Sequence, residues 1–173
     1  MNSIIVLYLL VFSGLAWSEA YQLERANADY FVKHAVKSVK GFSVQLSGEM
    51  NCEKAACDFH ISVPVKSFIS SDSERDSTMY AVLEEPQFPL ITVRGRILEH
   101  QLKTPEFNVP AKVIFHGVER VYLLNIENNG LSGGNLRLNL ENHNIERPSL
   151  LMIKIDNEVI INFTFSWKKR YES

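Results

Sequence analysis

The side chains with the most distinctive chemistry are two cysteines, five histidines and 20 carboxylates in a chain of 173 residues. Cys52 and Cys57 enclose residues 53–56 between two strand-like stretches. They could form a redox pair or part of a zinc site. Redox pairs, however, usually have two residues between the sulfurs, and the chain has no third cysteine or closely spaced histidine pair to complete a zinc site. In an oxidising compartment we expect a disulfide bond between Cys52 and Cys57 that closes a hairpin tip.

The histidines do not fall into a catalytic motif. The chain has no His-Glu-x-x-His pair and no glycine loop of the kind that binds phosphate. His60 and His116 lie on the polar side of alternating segments, and His100 and His143 lie in polar, loop-like stretches. We therefore expect no catalytic residue, no metal, no cofactor and no enzymatic activity. A lipid-modifying enzyme is the minor alternative.

Three other polar residues could contact the head group of a ligand. His34 lies where a strand-like stretch becomes irregular, and Arg75 and Asp76 lie in the first turns of a predicted helix over 71–85. Arginine binds planar oxyanions well, so Arg75 and Asp76 could hold a pyrophosphate or a quinone oxygen. The structural alternative is that His34 bonds to backbone and holds the loop, and that Arg75 and Asp76 cap the helix and dock it on the sheet.

Alternating apolar and polar residues predict the elements that would position these groups. The alternation has a period of two, which is typical of half-buried antiparallel strands. It covers residues 42–47, 59–66, 91–97, 109–115, 136–140 and 161–167. Many short strands predict an all-β sandwich or closed barrel. The one clear helix, over 71–85, has Ser71 and Glu74 at capping-box spacing and Pro86 after its end.

Composition and the N-terminal segment bound the class of protein. The chain has 46% hydrophobic residues, 22% charged residues and a net charge of −2. This composition fits one globular domain and excludes a polybasic nucleic-acid binder.

The apolar run from Ile4 to Leu15 precedes small residues suited to cleavage after Ala20. We therefore predict a signal peptide over 1–20 and a single domain over 21–173. The signal peptide would export the protein to the periplasm or medium. A membrane anchor is the alternative, but a spanning helix needs about 20 apolar residues. We expect no membrane span in the mature chain.

Aromatic residues occur on nearly every predicted strand, and most belong to the predicted inner face. They are Phe31, Phe42, Phe59, Phe68, Phe88, Phe115, Phe163, Phe165 and Trp167. They could form a packed core or line a sleeve around an apolar ligand. From the sequence alone a packed core is favoured, because side chains can fill an eight-stranded barrel completely.

Several short segments, taken in order, resemble the YceI family. They are residues 21–23, 31–34, 39–42, 68–69, 74–76, 88–93, 115–118, 145–148 and 158–163. The resemblance covers essentially the whole mature chain. It implies a lipocalin-like antiparallel barrel of about eight strands, exported to the periplasm, whose apolar interior accepts a polyisoprenoid chain. The sequence departs from the family where Arg25 and Ala26 follow Glu24, because an acidic residue followed by His-Ser is usual there.

With this resemblance, we expect a non-enzymatic carrier that holds a polyisoprenoid or quinone-like lipid inside the barrel, with the head group near His34 and Arg75. The residues expected to bind the ligand are His34, Phe42, Val44, Phe59, Ile61, Phe68, Arg75, Asp76, Val93, Phe115, Phe163 and Phe165. The alternative is a filled barrel that acts as a protein-interaction module in the cell envelope. The sequence leaves a homodimer open.

Overall fold

Antiparallel strands dominate the structure, a computed structural model that describes residues 18–128, 132–150 and 152–171. The strands are β1 (Glu19–Val32), β2 (Val39–Ser43), β3 (Ser47–Glu53), β4 (Ala56–Pro64), β5 (Leu90–Leu98), β6 (Glu106–Phe115), β7 (Val118–Asn128), β8 (Ser132–Asn139), β9 (Ser149–Leu150), β10 (Ile153–Lys154) and β11 (Glu158–Lys169). The described residues also include one α-helix, α1 (Ser73–Val82), and short 3₁₀ helices at Val65–Ser67, Gln101–Lys103 and Glu141–His143. None of these helices is long and apolar enough to cross a membrane.

The large sheet closes on itself. Its strand order is β11-β8-β7-β6-β5-β4-β3-β1-β2, and β1 pairs with β11 as well. β2 and β3 pair with the two halves of β1 in one register, Ala28 with Ser43 and Tyr21 with Met50, so they act as one interrupted strand. The result is a closed antiparallel barrel of eight strands, which confirms the predicted fold.

The core of the protein lies inside this barrel. Alternate side chains of each strand point inward, as the period of two predicts. Three predicted aromatic positions, Phe59, Phe68 and Phe115, are buried there, and Ile61 and Val93 pack against the buried residues. The inward side chains form one continuous hydrophobic cluster that reaches from Met50 and Ile97 to Leu140 and Val159.

The inward orientation predicted for Phe42 and Val44 is wrong. Both face solvent, with exposures of 44% and 65%, while Ser43 between them is buried. The Ser43 hydroxyl turns inward because it shares a 2.6 Å hydrogen bond with the Ser67 hydroxyl. The alternation then reverses between β2 and β3, so Leu46 packs against the core although Val44 does not.

The predicted helix is confirmed but is shorter than 71–85. It covers Ser73–Val82, and the capping residue is Asp72, whose carboxylate accepts a hydrogen bond from the Arg75 backbone N–H at 3.1 Å. The expected Ser71–Glu74 capping box is therefore wrong. Met79 and Val82 pack against the core, and the helix lies at the end of the barrel where β4 leaves and β5 enters.

The two ends of the barrel differ. We call the end that carries α1, the 3₁₀ helix Glu141–His143 and the β9–β10 hairpin the helix end. The opposite end is the disulfide end, where Cys52 and Cys57 lie opposite each other in the β3–β4 hairpin and form a disulfide bond. The predicted bridge is thus present.

Candidate functional site

Three aromatic side chains follow one another along the inner face of β11. Phe163, Phe165 and Trp167, here called the aromatic row, occupy alternate positions, and all three are partly exposed. The rings of Phe163 and Phe165 stack with centroids 6.1 Å apart, and the Trp167 ring meets Phe165 edge-on at 5.9 Å. The row forms an apolar strip that could contact a long hydrocarbon chain.

Two members of the aromatic row have small cross-strand neighbours, whereas Trp167 pairs with Leu23. Phe163 pairs with Ala28 on β1 and with Gly134 on β8, and Phe165 pairs with Ala26 and Ser132. A Cβ atom on Gly134 would lie 1.9 Å from the Asn125 carbonyl oxygen and 3.1 Å from the Phe163 ring, so only glycine fits there. The Phe163 ring therefore lies over Gly134, and the small side chains opposite the two phenylalanines occupy little of the space beside their rings.

The opposite wall is more densely filled. Phe59 pairs with Gly95, and its ring lies over the glycine so closely that a Cβ atom there would be 2.6 Å from Phe59 Cζ. Two grooves, of about 490 and 250 Å³, lie on the outer wall, where His60 and Glu49 line both. On the inner side, the Phe59 ring fills the space beside Gly95.

His34 is tied to backbone on both sides of its ring. It is 6% exposed, and Nδ1 accepts a hydrogen bond from the Val36 N–H at 3.1 Å. Nε2 lies 3.1 Å from the Ile153 carbonyl oxygen and therefore carries the proton. These bonds hold the loop after β1 against the β9–β10 hairpin, as in the structural alternative. A contact between His34 and a head group stays a prediction.

Arg75 and Asp76 also bond to the protein itself. Both Asp76 oxygens accept from the Ser70 N–H, at 3.0 and 2.9 Å, and the carboxylate is buried. The Arg75 guanidinium donates to Asp72 at 3.1 Å and remains partly exposed. Asp76 thus anchors the segment that leads into α1, and the guanidinium of Arg75 can still approach a ligand.

Tyr30 is a polar residue of the interior that the sequence does not reveal. It is 7% exposed, and its hydroxyl has no hydrogen-bond partner among the described residues. Burial, followed by the negative charge of Asp76, raises the pKa of Tyr30 to about 12, so the hydroxyl keeps its proton. Its ring meets Phe68 edge-on at 5.9 Å. An unpartnered donor in an apolar interior is suited to bind a ligand oxygen.

His143 is another polar residue of the interior that the sequence does not reveal. The sequence predicts a loop residue, but His143 is fully buried beside Tyr122 and Phe115 at the helix end. Its ring bonds to the Phe115 and Val118 carbonyl oxygens and to the Tyr122 hydroxyl, and burial lowers its pKa. Because every ring nitrogen has a protein partner, the role of His143 is structural.

Residues 130–134 have Gly-x-Ser-x-Gly spacing, which in hydrolases marks a nucleophile on a turn between a strand and a helix. Here Ser132 begins β8, and its hydroxyl donates to Asn128 at 2.6 Å. A position at the start of a hairpin strand, bonded to an amide oxygen, does not supply a histidine-activated nucleophile.

A closed eight-stranded barrel with an apolar lining and a helix at one end places the protein among small β-barrels of the lipocalin-like type. The family model described as a YceI-like domain matches residues 21–167, so the chain belongs to the YceI family. A comparison with curated protein sequences finds no match.

Solved structures share this fold. A polyisoprenoid-binding domain from Saccharophagus degradans, implicated in plant cell wall breakdown, superposes with a TM-score of 0.69 at 14% identity, over 87% of this chain and 98% of that one. BcnA of Burkholderia cenocepacia has a TM-score of 0.65 at 16% identity, over 81% and 94% of the two chains. A YceI protein from Campylobacter jejuni has a TM-score of 0.57 at 13% identity, over 81% and 90%. At these identities the likeness concerns the fold.

Proposed function

We propose that this protein is an exported, non-enzymatic carrier that binds a polyisoprenoid or quinone-like lipid inside its barrel. Membership of the YceI family and the likeness to a polyisoprenoid-binding domain support a lipid-binding barrel. The observation that carries the proposal is the aromatic row, because its three rings lie on the inner face of β11 and remain partly exposed, and because Phe163 and Phe165 have small cross-strand neighbours.

Hydrophobic burial alone can supply the affinity. Burying one CH₂ group is worth about 0.8 kcal/mol, so enclosing about twenty carbons gives a gross term of about 16 kcal/mol. Micromolar binding needs about 8 kcal/mol, and the rest can offset the loss of motion on binding. A prenyl chain therefore needs few polar contacts with the protein.

The ligand contacts divide into an apolar set and a polar set. In the proposal the chain lies along the aromatic row and against Ile61, Val93 and Phe115. The head group approaches the helix end, where the Arg75 guanidinium is partly exposed and the Tyr30 hydroxyl has no partner within the described part of the chain. His34 and Asp76 position the surrounding loops through their backbone bonds.

Export is part of the proposal. The predicted signal peptide covers 1–20, of which residues 1–17 lie outside the described part of the chain. The Cys52–Cys57 disulfide agrees with an oxidising compartment. Cleavage after Ala20 would leave Tyr21 within β1 and remove the ion pair between Glu19 and Lys169. The intact mass of protein purified from the source organism tests this, since a mature chain beginning at Tyr21 is expected and a retained leader would contradict it.

Lipid binding can be followed through Trp167. The chain has two tryptophans, Trp17 and Trp167, so a protein beginning at Tyr21 keeps only the one in the aromatic row. Titration with geranylgeraniol or a short-chain ubiquinone should change the fluorescence of Trp167 until binding is saturated. Phe165→Ala should weaken binding about tenfold, because it removes one to two kcal/mol of apolar contact. Leu123→Ala, on the exposed outer wall, is the matched control and should bind normally. Equal affinities for both variants would contradict the proposed site.

The filled barrel remains a second candidate function. The observation that favours it is the continuous cluster of inward side chains, with the Phe59 ring over Gly95. In that case the protein would work through its outer surface as an interaction module. A folded protein that takes up no prenyl lipid under any condition would select this function over the carrier.

A further inference from the structure

We propose that the helix end of the barrel docks on an anionic lipid bilayer through an exposed apolar patch bordered by lysines. This lysine-bordered patch is not part of the barrel interior. Its apolar members are Phe31, Val36, Phe42, Ile69, Met152 and Ile153, and its lysines are Lys33, Lys37, Lys40 and Lys154.

The first half of the patch is a stretch of outer wall. Phe31 on β1 lies opposite Lys40 on β2. Phe42 follows Lys40 by two residues on β2 and therefore lies on the same face of the sheet. Phe42 and Ile69 form an antiparallel bridge with two backbone hydrogen bonds of 2.9 Å, which puts their side chains side by side. These three apolar residues are 38% to 46% exposed.

The second half is formed by the loop after β1 and the β9–β10 hairpin. The His34 bonds to Val36 and Ile153 hold the two together, and the Asp156 N–H donates to the Lys33 carbonyl oxygen at 2.9 Å. Met152 lies at the hairpin turn, where it is 99% exposed. The apolar side chains of this half are therefore held at one place by hydrogen bonds.

The charges around the patch favour an anionic surface. Lys37 and Lys154 adjoin Val36 and Ile153 in sequence, and Lys40 lies opposite Phe31. Lys33 lies two residues after Phe31, and all four lysines are exposed. Three carboxylates lie beside them, Asp29, Asp72 and Asp156, and Asp72 is paired with Arg75. The patch is thus locally positive in a chain whose net charge is −2.

A bilayer fits this patch better than a protein partner. A fully exposed methionine at a hairpin tip projects outward, and a fluid interface accepts such a side chain without a complementary pocket. Apolar side chains that enter the interface and lysines that stay at the phosphate level are the usual components of peripheral membrane binding. The inference rests on the proposed function for its purpose, because a lipid carrier must reach a membrane, but its test is separate.

Flotation with lipid vesicles tests the inference. We expect the mature protein to bind vesicles of phosphatidylcholine mixed with phosphatidylglycerol, to bind much less to phosphatidylcholine alone, and to dissociate as salt is raised. Replacing Lys33, Lys37 and Lys154 with Gln should weaken binding about fivefold per lysine. Val36→Asp combined with Met152→Asp should abolish insertion, and aspartate tolerates the positive φ of Met152 better than methionine does.

Matched controls come from other faces of the barrel. Lys103→Gln and Leu123→Asp change the same kinds of exposed residue at the disulfide end and on β7, and should leave vesicle binding unchanged. The Trp167 titration with geranylgeraniol reports folding and lipid uptake independently, so it should be normal in the patch variants. No binding to anionic vesicles, or equal losses in patch and control variants, would overturn the inference. A concentration-dependent dimer that the patch variants abolish would assign the patch to a second copy and also overturn it.

Discussion

The Tyr122 hydroxyl lies 2.8 Å from Nε2 of His143 and donates a hydrogen bond to it. The assignment follows from the other side of the ring, where Nδ1 faces the Phe115 and Val118 carbonyl oxygens at 3.1 and 3.0 Å and must carry the proton. His143 is fully buried. These bonds fix the 3₁₀ helix Glu141–His143 onto the β6–β7 hairpin and so close part of the helix end.

The stability of the protein should fall at mildly acidic pH because of His143. Burial lowers the pKa of His143 below its ordinary value of 6.5, so the folded state favours the neutral ring. Above pH 6.5 this preference does not change the free energy of unfolding, since the ring is neutral in both the folded and the unfolded state. As the pH falls through 6.5, the unfolded chain gains the proton first and the free energy of unfolding decreases. Urea unfolding across this range should show the decrease in the native protein and a smaller one in His143→Asn. An identical pH dependence in both would contradict the assignment.

Gly95→Ala should destabilise the barrel by about 1–3 kcal/mol through overpacking. The new Cβ would lie 2.6 Å from Phe59 Cζ, so the ring would have to move. Phe59→Leu, which is destabilising alone, should cost less in the Gly95→Ala background because the smaller side chain makes room. A double-mutant cycle of unfolding free energies measures this coupling. Additive effects would show that the two residues do not compete for the same space.

Removing the disulfide should lower the free energy of unfolding by about 2 kcal/mol, because the bridge closes a short loop in the unfolded chain. Cys52 and Cys57 already face each other in the β3–β4 register, so serine at both positions should keep the fold. Thermal unfolding of the native protein with and without reductant gives the difference. The double serine variant should not respond to reductant, and a response would point to another redox-sensitive group.

Tyr30→Phe should separate stability from ligand binding. The hydroxyl is buried without a partner among the described residues, so its removal should raise the free energy of unfolding by about 1 kcal/mol. If the hydroxyl binds a lipid oxygen, the same variant should bind a short-chain ubiquinone more weakly and an oxygen-free prenyl hydrocarbon as well as before. A loss of stability would show instead that the hydroxyl is already hydrogen-bonded in the folded protein.

The barrel and its inner face could be predicted where strands alternate cleanly. The inner face is predictable for Phe163, Phe165 and Trp167 because residues 161–167 of β11 alternate cleanly, and the same holds for Phe59, Ile61 and Val93. β7 gave no such pattern, because Val121 and Leu123 on its outer face are apolar and exposed, which hides the alternation of Tyr122, Leu124 and Ile126.

The predictions that the structure overturns depend on contacts between segments far apart in the sequence. The inward orientation predicted for Phe42 and Val44 is wrong because the inward turn of Ser43 depends on Ser67, which is far away in the sequence. The burial of His143 cannot be predicted from its own segment, because it depends on Tyr122 and on the β6–β7 hairpin. That the Tyr30 hydroxyl lacks a hydrogen-bond partner in residues 18–128, 132–150 and 152–171 could not be inferred, since only the packing of neighbouring strands shows it.

The central claim is that the barrel carries a lipid in its interior. Native mass spectrometry of protein purified from the envelope of its source organism tests this most directly, because a bound lipid adds its own mass to the chain. We expect a complex with one prenyl lipid, lost or reduced in Phe165→Ala and retained in Leu123→Ala. A protein that is free of lipid when isolated, and that also fails to take up added geranylgeraniol, would contradict the claim.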